Sequence, residues 1–470
     1  MTARIRIIGL WAGPLVYLVL SLVEGSELPT DASKALSVAA WMLIWWLTEA
    51  VPMAAAALLP LVLFPFNGLM TMEEAAAPYG SKFVFLFLGG FLVALALEKW
   101  QLHKRIALNI VLATGSSLNR VLLGFMLATA FISMWISNTA TTLMMLPIAT
   151  SVIVLFKHSI GNEDHQKRFA VLMMLGIAYA ANIGGMATLV GTPPNAAMAG
   201  ILADNFGIHV SFAGWMAIAF PFSLVLLFVV FGVMRMMHRL PSEQLAGGKQ
   251  LILDERAQLG QMSEGERRVM WVFLATAGLW MFKDLLINVP GLQFLNDTSI
   301  AIAGGIALFV IPSAKGGERL LLWDDTKHLP WGILLLFGGG LVLADAFKKS
   351  GLLSSVVAVL GDWGMPLLVL MTVLVVLALF ITEVMSNLAL VVLMLPVVAQ
   401  LAAEMGLDPL LFAIPVTLAS SCAFMLPMAT PPNAIVFAGG YVTIPQMART
   451  GLILNLLSAL ILTVLCYLFL

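Results

Sequence analysis

Apolar runs about as long as a bilayer is thick follow one another along most of the chain, and short polar breaks separate them more often than long loops do. A helix needs roughly 20 apolar residues to cross the hydrocarbon layer. The run Ile7 to Val23 fits one short span; lacking a small-residue cleavage pattern, it reads as a retained helix and not a signal peptide. The block Ala35 to Phe66 is too long for one span and is broken at Glu49-Ala50-Val51-Pro52, which predicts two short helices. Phe83 to Leu97 comes next. Val121 to Phe156 is again too long, with Ser137-Asn138 at its middle. Phe169 to Ala203 is interrupted by Gly184-Gly185 and by Gly191-Thr192-Pro193-Pro194, and Ala213 to Met234 completes a first series. After the polar segment Arg235 to Arg268 the order recurs: Val269 to Leu286, Ser299 to Ile311, Trp331 to Phe347, a long block Pro366 to Ala403 with Ser386-Asn387 at its middle, a broken run Pro409 to Gly440, and a last helix reaching Leu470.

Basic residues give these runs a direction, because Lys and Arg collect on the cytoplasmic side. Arg4 and Arg6 place the N-terminus inside, the acidic stretch Glu24, Glu27 and Asp31 lies outside, and Lys99, Lys104, Arg105 and Arg120 lie inside. The block 121–156 has basic residues beyond both ends, with Lys157, Lys167 and Arg168 on the far flank. A re-entrant helical hairpin with Ser137-Asn138-Thr139 at its tip satisfies that parity. Non-helical backbone at membrane depth is tolerated only when buried in protein or lining a water-filled cavity. The second series runs with the opposite orientation: its hairpin, 366–403, dips in from outside, Arg449 marks the inside and the C-terminus ends outside. Lys348-Lys349 falls outside in this scheme, against the usual bias.

The expected fold is therefore an all-α polytopic membrane protein. A first repeat with its N-terminal helix occupies 1–234, with a hairpin at about 121–156 and a broken helix at about 169–203. A cytoplasmic loop follows at 235–268. A second, inverted repeat occupies 269–470, with a hairpin at about 366–403 and a broken helix at about 409–440. Inverted repeats place substrate and ion sites near the bilayer midplane, in discontinuous helices at the repeat interface.

Composition narrows the class. Of 470 residues, 61% are hydrophobic and 10% charged, against about 25% charged in soluble domains. A net charge of −1 offers no field for nucleic acid, and Cys422 and Cys466 sit in apolar runs that do not suggest a disulfide framework. The six histidines lie mainly in loops or near helix ends, and no nucleophile–base pair or metal cluster stands inside a span. An enzyme embedded in the bilayer is thereby disfavoured, and no cofactor is expected.

The chemistry lies in the interruptions, and they are paired. Ser137-Asn138 recurs as Ser386-Asn387, 249 positions on, and Thr192-Pro193-Pro194-Asn195 recurs as Thr430-Pro431-Pro432-Asn433, 238 positions on. Where a helix stops, free N–H groups attract anions and free carbonyls attract cations. Pro193 and Pro431 lack an N–H and are shaped for a helix start. Ser137, Asn138, Ser386 and Asn387 bring neutral oxygens that can ligate a hard cation such as sodium. Sodium so held supplies the positive charge that a carboxylate substrate needs, with no Lys or Arg in the site. Glu49 and Glu383 are candidate intramembrane carboxylates, either coupling ions directly or bracing the broken backbone.

The stretch Ser133-Met134-Trp135-Ile136-Ser137-Asn138-Thr139-Ala140-Thr141 with Pro147, the segment Gly191-Thr192-Pro193-Pro194-Asn195, and the pair Thr382-Glu383-Val384-Met385-Ser386-Asn387 and Ala429-Thr430-Pro431-Pro432-Asn433 resemble the divalent anion/sodium symporter family, the sodium-coupled dicarboxylate and citrate carriers. The resemblance covers nearly the whole chain. It implies eleven transmembrane helices with two re-entrant hairpins, a homodimer in the lipid bilayer, a bacterial inner membrane as its location, and a transport domain that moves as an elevator. It also implies one sodium with Ser133, Ser137, Asn138 and a carbonyl near Gly185, and another with Thr382, Ser386, Asn387 and the carbonyls of Ala429 and Pro431. Asn138, Thr139, Thr192, Asn387 and Thr430 would face the substrate, beside Pro193 and Pro431. One position departs: Leu388 stands where the second triplet of the family ends in threonine, so a substrate-facing hydroxyl is missing there. The implied activity is sodium-driven import of a C4 dicarboxylate such as succinate; the alternatives are another anion, sulfate or citrate, or a sodium/proton antiporter of related architecture.

Overall fold

The computed structural model describes residues 3–22, 29–115, 117–159, 163–237, 248–313, 318–355 and 365–469. Glu24, Glu27 and positions 238–247 of the polar segment lie outside the described residues. The helices of the first half are α1 (Ala3–Leu22), α2 (Thr30–Thr48), α3 (Met53–Ala56), α4 (Leu59–Phe66), α5 (Met72–Ala76), α6 (Lys82–Lys99), α7 (Leu102–Thr114), α8 (Leu118–Ser133), α9 (Asn138–Ser159), α10 (Glu163–Met186), α11 (Pro193–Phe206) and α12 (Phe212–Met237). Those of the second are α13 (Gly248–Gln258), α14 (Glu264–Leu286), α15 (Asp297–Val310), α16 (Trp331–Lys349), α17 (Leu367–Ile381), α18 (Asn387–Glu404), α19 (Leu410–Ser420), α20 (Pro431–Ala438) and α21 (Ile444–Phe469). Nine helices among the described residues are long and apolar enough to cross a membrane, and shorter apolar helices flank the breaks.

Helices stop at Glu49-Pro52, at Thr192-Pro193 and at Thr430-Pro431, as the motifs predict, but Gly184-Gly185 is no interruption: α10 runs through both glycines to Met186. Glu49 ends α2 in the left-handed region, at φ 49°, and Pro52 precedes α3. Pro193 and Pro431 each occupy the first turn of a restarted helix, and the preceding threonines adopt nearly the same extended backbone, φ −144° and ψ 142° at Thr192, φ −142° and ψ 151° at Thr430. The polar segment 235–268 differs from the expected loop. It contains α13, and α14 begins within it, under a capping box made by Ser263 and Glu266. The amphipathic α7 is a further helix that the apolar runs did not reveal. Both pack at the basic end of α6, where Arg105 meets Glu266 at 2.5 Å, Lys104 meets Glu255 at 3.1 Å and Lys99 meets Asp325 at 2.6 Å.

The core is built around α10, buried from Phe169 to Met186 and packed against α8, α9, α12 and α20. Its partners cross between halves in matching ways: α9 packs on α20, and α18 packs on α11. The scaffold contacts match too. Gly89 of α6 lets that helix approach Ala301 of α15, and Gly339 of α16 allows the same approach to Ala57; a Cβ at either glycine would collide with backbone. Lys348 and Lys349, which the expected topology sets against the charge bias, find partners at the C-terminus of α16. Lys349 pairs with Glu74 at 2.7 Å, and Lys348 donates to the carbonyl of Asn205.

Candidate functional site

Both polar breaks of the first half and both of the second converge on one cavity of about 190 Å³. From the first half it is lined by Ser137, Asn138, Thr139, Asn182, Thr192 and Pro193; from the second, by Ser386, Asn387, Leu388, Ala429, Thr430 and Pro431. Residues more than 240 positions apart thus share one wall. Phe91 of α6 and Ile333 of α16 close the cavity with apolar surface. Among the described residues, no Lys, Arg, His, Asp or Glu lines it.

The two asparagine tips have the same local wiring. Ser133 Oγ lies within hydrogen-bond reach of two acceptors that share its one proton, Asn138 Oδ1 at 2.7 Å and the carbonyl of Ala181 at 2.8 Å. In the second half Thr382 Oγ1 stands likewise between Asn387 Oδ1 at 2.9 Å and the carbonyl of Ser420 at 2.6 Å. Ser137 and Ser386 each cap the helix that follows, accepting from Ala140 N–H at 3.3 Å and Ala389 N–H at 3.2 Å. Ser133 and Thr382 lie behind the cavity wall, as does Gly185, whose lack of a side chain leaves room for Asn138 Oδ1. Leu388 is buried at the cavity wall while Thr139, its counterpart, is half-buried.

The restarted helices are also braced alike. Asn195 Nδ2 donates to the carbonyls of Gly185, Met186 and Thr188, and Asn433 Nδ2 to those of Ala423 and Leu426. Beyond this the halves diverge. Thr188 Oγ1 donates to Met134 O at 2.6 Å and Trp215 Nε1 to Met186 O at 2.9 Å, so neutral groups hold the first break. Glu383 holds the second: its carboxylate accepts from the N–H groups of Phe424, Met425 and Leu426 at 2.8, 2.9 and 3.0 Å and from Asn455 Nδ2 at 2.8 Å. Of the two roles open to Glu383, bracing of the backbone is the one its contacts carry. Glu49 is a different case, half exposed and ion-paired to Arg6 at 2.9 Å.

Asn182, which the sequence reading passed over, crosses between halves: its Nδ2 donates to Thr430 Oγ1 at 3.1 Å. Tyr179, one turn earlier, donates to Phe424 O at 2.8 Å. The one amide within the otherwise apolar stretch from Phe169 to Ile183 was the available signal, since polar side chains inside membrane helices usually bridge to a neighbour. Phe91 and Ile333 gave no signal, because apolar residues in apolar helices do not announce which cavity they face.

The cavity continues into a second one of about 310 Å³ that shares Phe91, Ser137, Thr139 and Ile333 and extends to Glu98 and His328. That is the basic end of α6.

Paired helix breaks around a neutral cavity, set in a bundle of bilayer-length apolar helices, are the construction of a membrane transporter. The solved structures agree at the level of fold. The YdaH transporter of Alcanivorax borkumensis aligns over 93% of this chain and 98% of its own with a TM-score of 0.54 at 16% identity. MtrF of Neisseria gonorrhoeae aligns over 98% of this chain and 97% of its own, at 0.57 and 11%. Residues 7–469 match the sodium:sulfate symporter transmembrane region, and the chain belongs to that family. Among its relatives, the sodium-dependent dicarboxylate transporter SdcS of Staphylococcus saprophyticus is 40% identical over 98% of this chain and 91% of its own length. SdcS of Staphylococcus aureus strain USA300 is 39% identical over the same shares.

Proposed function

We propose that this protein is a sodium-coupled symporter that imports a C4 dicarboxylate. The observation that carries the reading is the convergence of two Ser-Asn tips and two Thr-Pro-Pro-Asn restarts on one cavity with no charged side chain among the described residues. A dianion there requires cations bound with it, and neutral oxygens are what the tips offer. Sodium fits that donor set: Ser133, Ser137, Asn138 and the Gly185 carbonyl on one side, Thr382, Ser386, Asn387 and the Ala429 and Pro431 carbonyls on the other. Thr430 Oγ1 already accepts from Asn182 and from Asn433 N–H, so its proton is left to donate to a substrate carboxylate. Thr139 and Thr192 offer hydroxyls at the other end, and the names of the 40% identical relatives support a dicarboxylate.

In this reading the helix pairs α8–α9 and α17–α18 are re-entrant hairpins of two inverted repeats, which the reciprocal packing of α9 on α20 and α18 on α11 supports. The cavity opens towards the basic, cytoplasmic end of α6, and the substrate crosses when the domain carrying both tips moves as an elevator in a homodimer, features carried by the family resemblance. Uptake of labelled succinate, malate, citrate and sulfate into proteoliposomes, with and without a sodium gradient, is the test. Sodium-dependent uptake of succinate is expected. Should more than two sodium ions accompany each dianion, an inside-negative potential adds about 2.3 kcal/mol per net charge per 100 mV. Uptake that persists in choline and follows a proton gradient would falsify the sodium assignment.

A further inference from the structure

The two halves share the wiring of their tips but not their charge. Position 134 of the first tip corresponds to position 383 of the second, and the residues there are methionine and glutamate. Met134 lines an apolar cavity with Leu127, Phe131 and Leu224. Glu383 is 3% exposed, and its four partners are all donors: three successive backbone N–H groups and the amide of Asn455. A neutral carboxyl would present its own proton where only donors stand, so the geometry suits the carboxylate. In a trans peptide the carbonyl points opposite to the N–H. Drawing the N–H groups of Phe424 and Met425 onto Glu383 therefore turns the carbonyls of Ala423 and Phe424 away, onto Asn433 Nδ2 and Tyr179 O–H.

We infer that Glu383 is a fixed negative charge that makes the two cation sites unequal, the site of Thr382, Ser386 and Asn387 being the tighter and the first to fill. This rests on the sodium reading given above. Glu383 directly follows Thr382, and the backbone it holds leads to Ala429 and Pro431, so the charge sits beside one set of proposed ligands. The other set has no carboxylate in the matching place. Inside a protein the attraction between unit charges several ångströms apart is large enough to shift a binding constant by about tenfold or more. Glu383 touches no substrate in this scheme. It is a positioning residue that also biases the ion.

The test reads ion binding without transport. The melting temperature of the full-length protein in detergent is followed as sodium replaces potassium at constant ionic strength. Asn138→Ala leaves the second site to report and Asn387→Ala leaves the first. The expected result is a sodium midpoint about tenfold lower for Asn138→Ala than for Asn387→Ala. Adding Glu383→Gln should raise the midpoint of Asn138→Ala about tenfold and leave that of Asn387→Ala within about twofold, while Glu383→Asp, which keeps the charge, should retain most of the tight binding. A lower melting temperature in potassium is expected from the lost bracing alone; a purely structural role would move both midpoints alike and leave Glu383→Asp no better than Glu383→Gln, and that result overturns the proposal. If Glu383→Gln does not fold, the two asparagine variants alone decide: an equal or reversed order of midpoints rejects it. No stabilisation of the wild type by sodium over potassium would remove the sodium reading itself, and the inference with it.

Discussion

The break after α10 and the break after α19 reach the same backbone by different chemistry. The first, from Ala187 to Thr192, is buried throughout, glycine-lined, and held by neutral donors from Thr188, Trp215 and Asn195. The second, from Ser421 to Thr430, is partly open, with Met428 72% exposed, and is held by a buried carboxylate. The difference teaches that a helix restart needs its free N–H and C=O groups satisfied but does not care by what. Two breaks with matching motifs can therefore share one backbone geometry while differing in charge, and charge is the property to which a cation responds most.

Substitutions at matched positions separate the two breaks. The largest effect is expected at position 383. Glu383→Leu leaves three backbone donors and the Asn455 amide unpaired, each costing roughly 1 to 3 kcal/mol if nothing else takes it up, so a loss of about 3 kcal/mol or more is expected. Met134→Leu, the matched change in the first half, should cost less than about 1.5 kcal/mol. Unfolding in detergent measures both, and similar losses would mean that Glu383 does not hold the second break.

Next comes Gly185→Ala. Its Cβ would strike Asn138 Oδ1, and relief of such overpacking costs about 1 to 3 kcal/mol. Sodium-driven uptake should fall on the order of tenfold, with the sodium requirement shifted upwards. In the second break the main chain is instead tied to Glu383 and Tyr179 through Phe424. Uptake by Gly185→Ala at the wild-type level would show that Asn138 can move freely and that the close approach is incidental.

Leu388 and Thr139 sharpen the comparison at the substrate. Leu388→Thr adds a hydroxyl at the position that lacks one, matched to Thr139, and should tighten a C4 dicarboxylate by about 0.5 to 1.5 kcal/mol, and Thr139→Leu should weaken it by a similar amount. Competition by succinate, malate, citrate and sulfate reads this. An unchanged inhibition profile in Leu388→Thr would mean that position 388 serves packing alone. The smallest change is expected from Glu49→Gln. That exposed pair with Arg6 is worth less than about 1 kcal/mol, and sodium-driven uptake should be unaffected; a loss comparable to that of Glu383→Leu would return Glu49 to the site.

The sequence by itself determined the apolar helices and most of the points at which they stop. Bilayer-length apolar runs have few alternatives to helix, and Ser-Asn and Thr-Pro-Pro-Asn carry their local geometry with them, through an N-capping hydroxyl and a proline suited to the first turn of a restarted helix. For the same reason the list of polar residues around the cavity was largely legible: Ser137, Asn138, Thr139, Thr192, Asn387 and Thr430 are polar in segments where polarity is costly. The amphipathic α7 and α13 were not, because charged faces look like loops until Glu266 and Glu255 are seen to meet Arg105 and Lys104. Only the tertiary structure decided which breaks meet. Asn182 reaching Thr430 spans 248 positions, and nothing local specifies such a partner. It also decided the role of Glu383, since a carboxylate in an apolar run reads the same in sequence whether it binds an ion or accepts three backbone N–H groups from a segment 41 residues away.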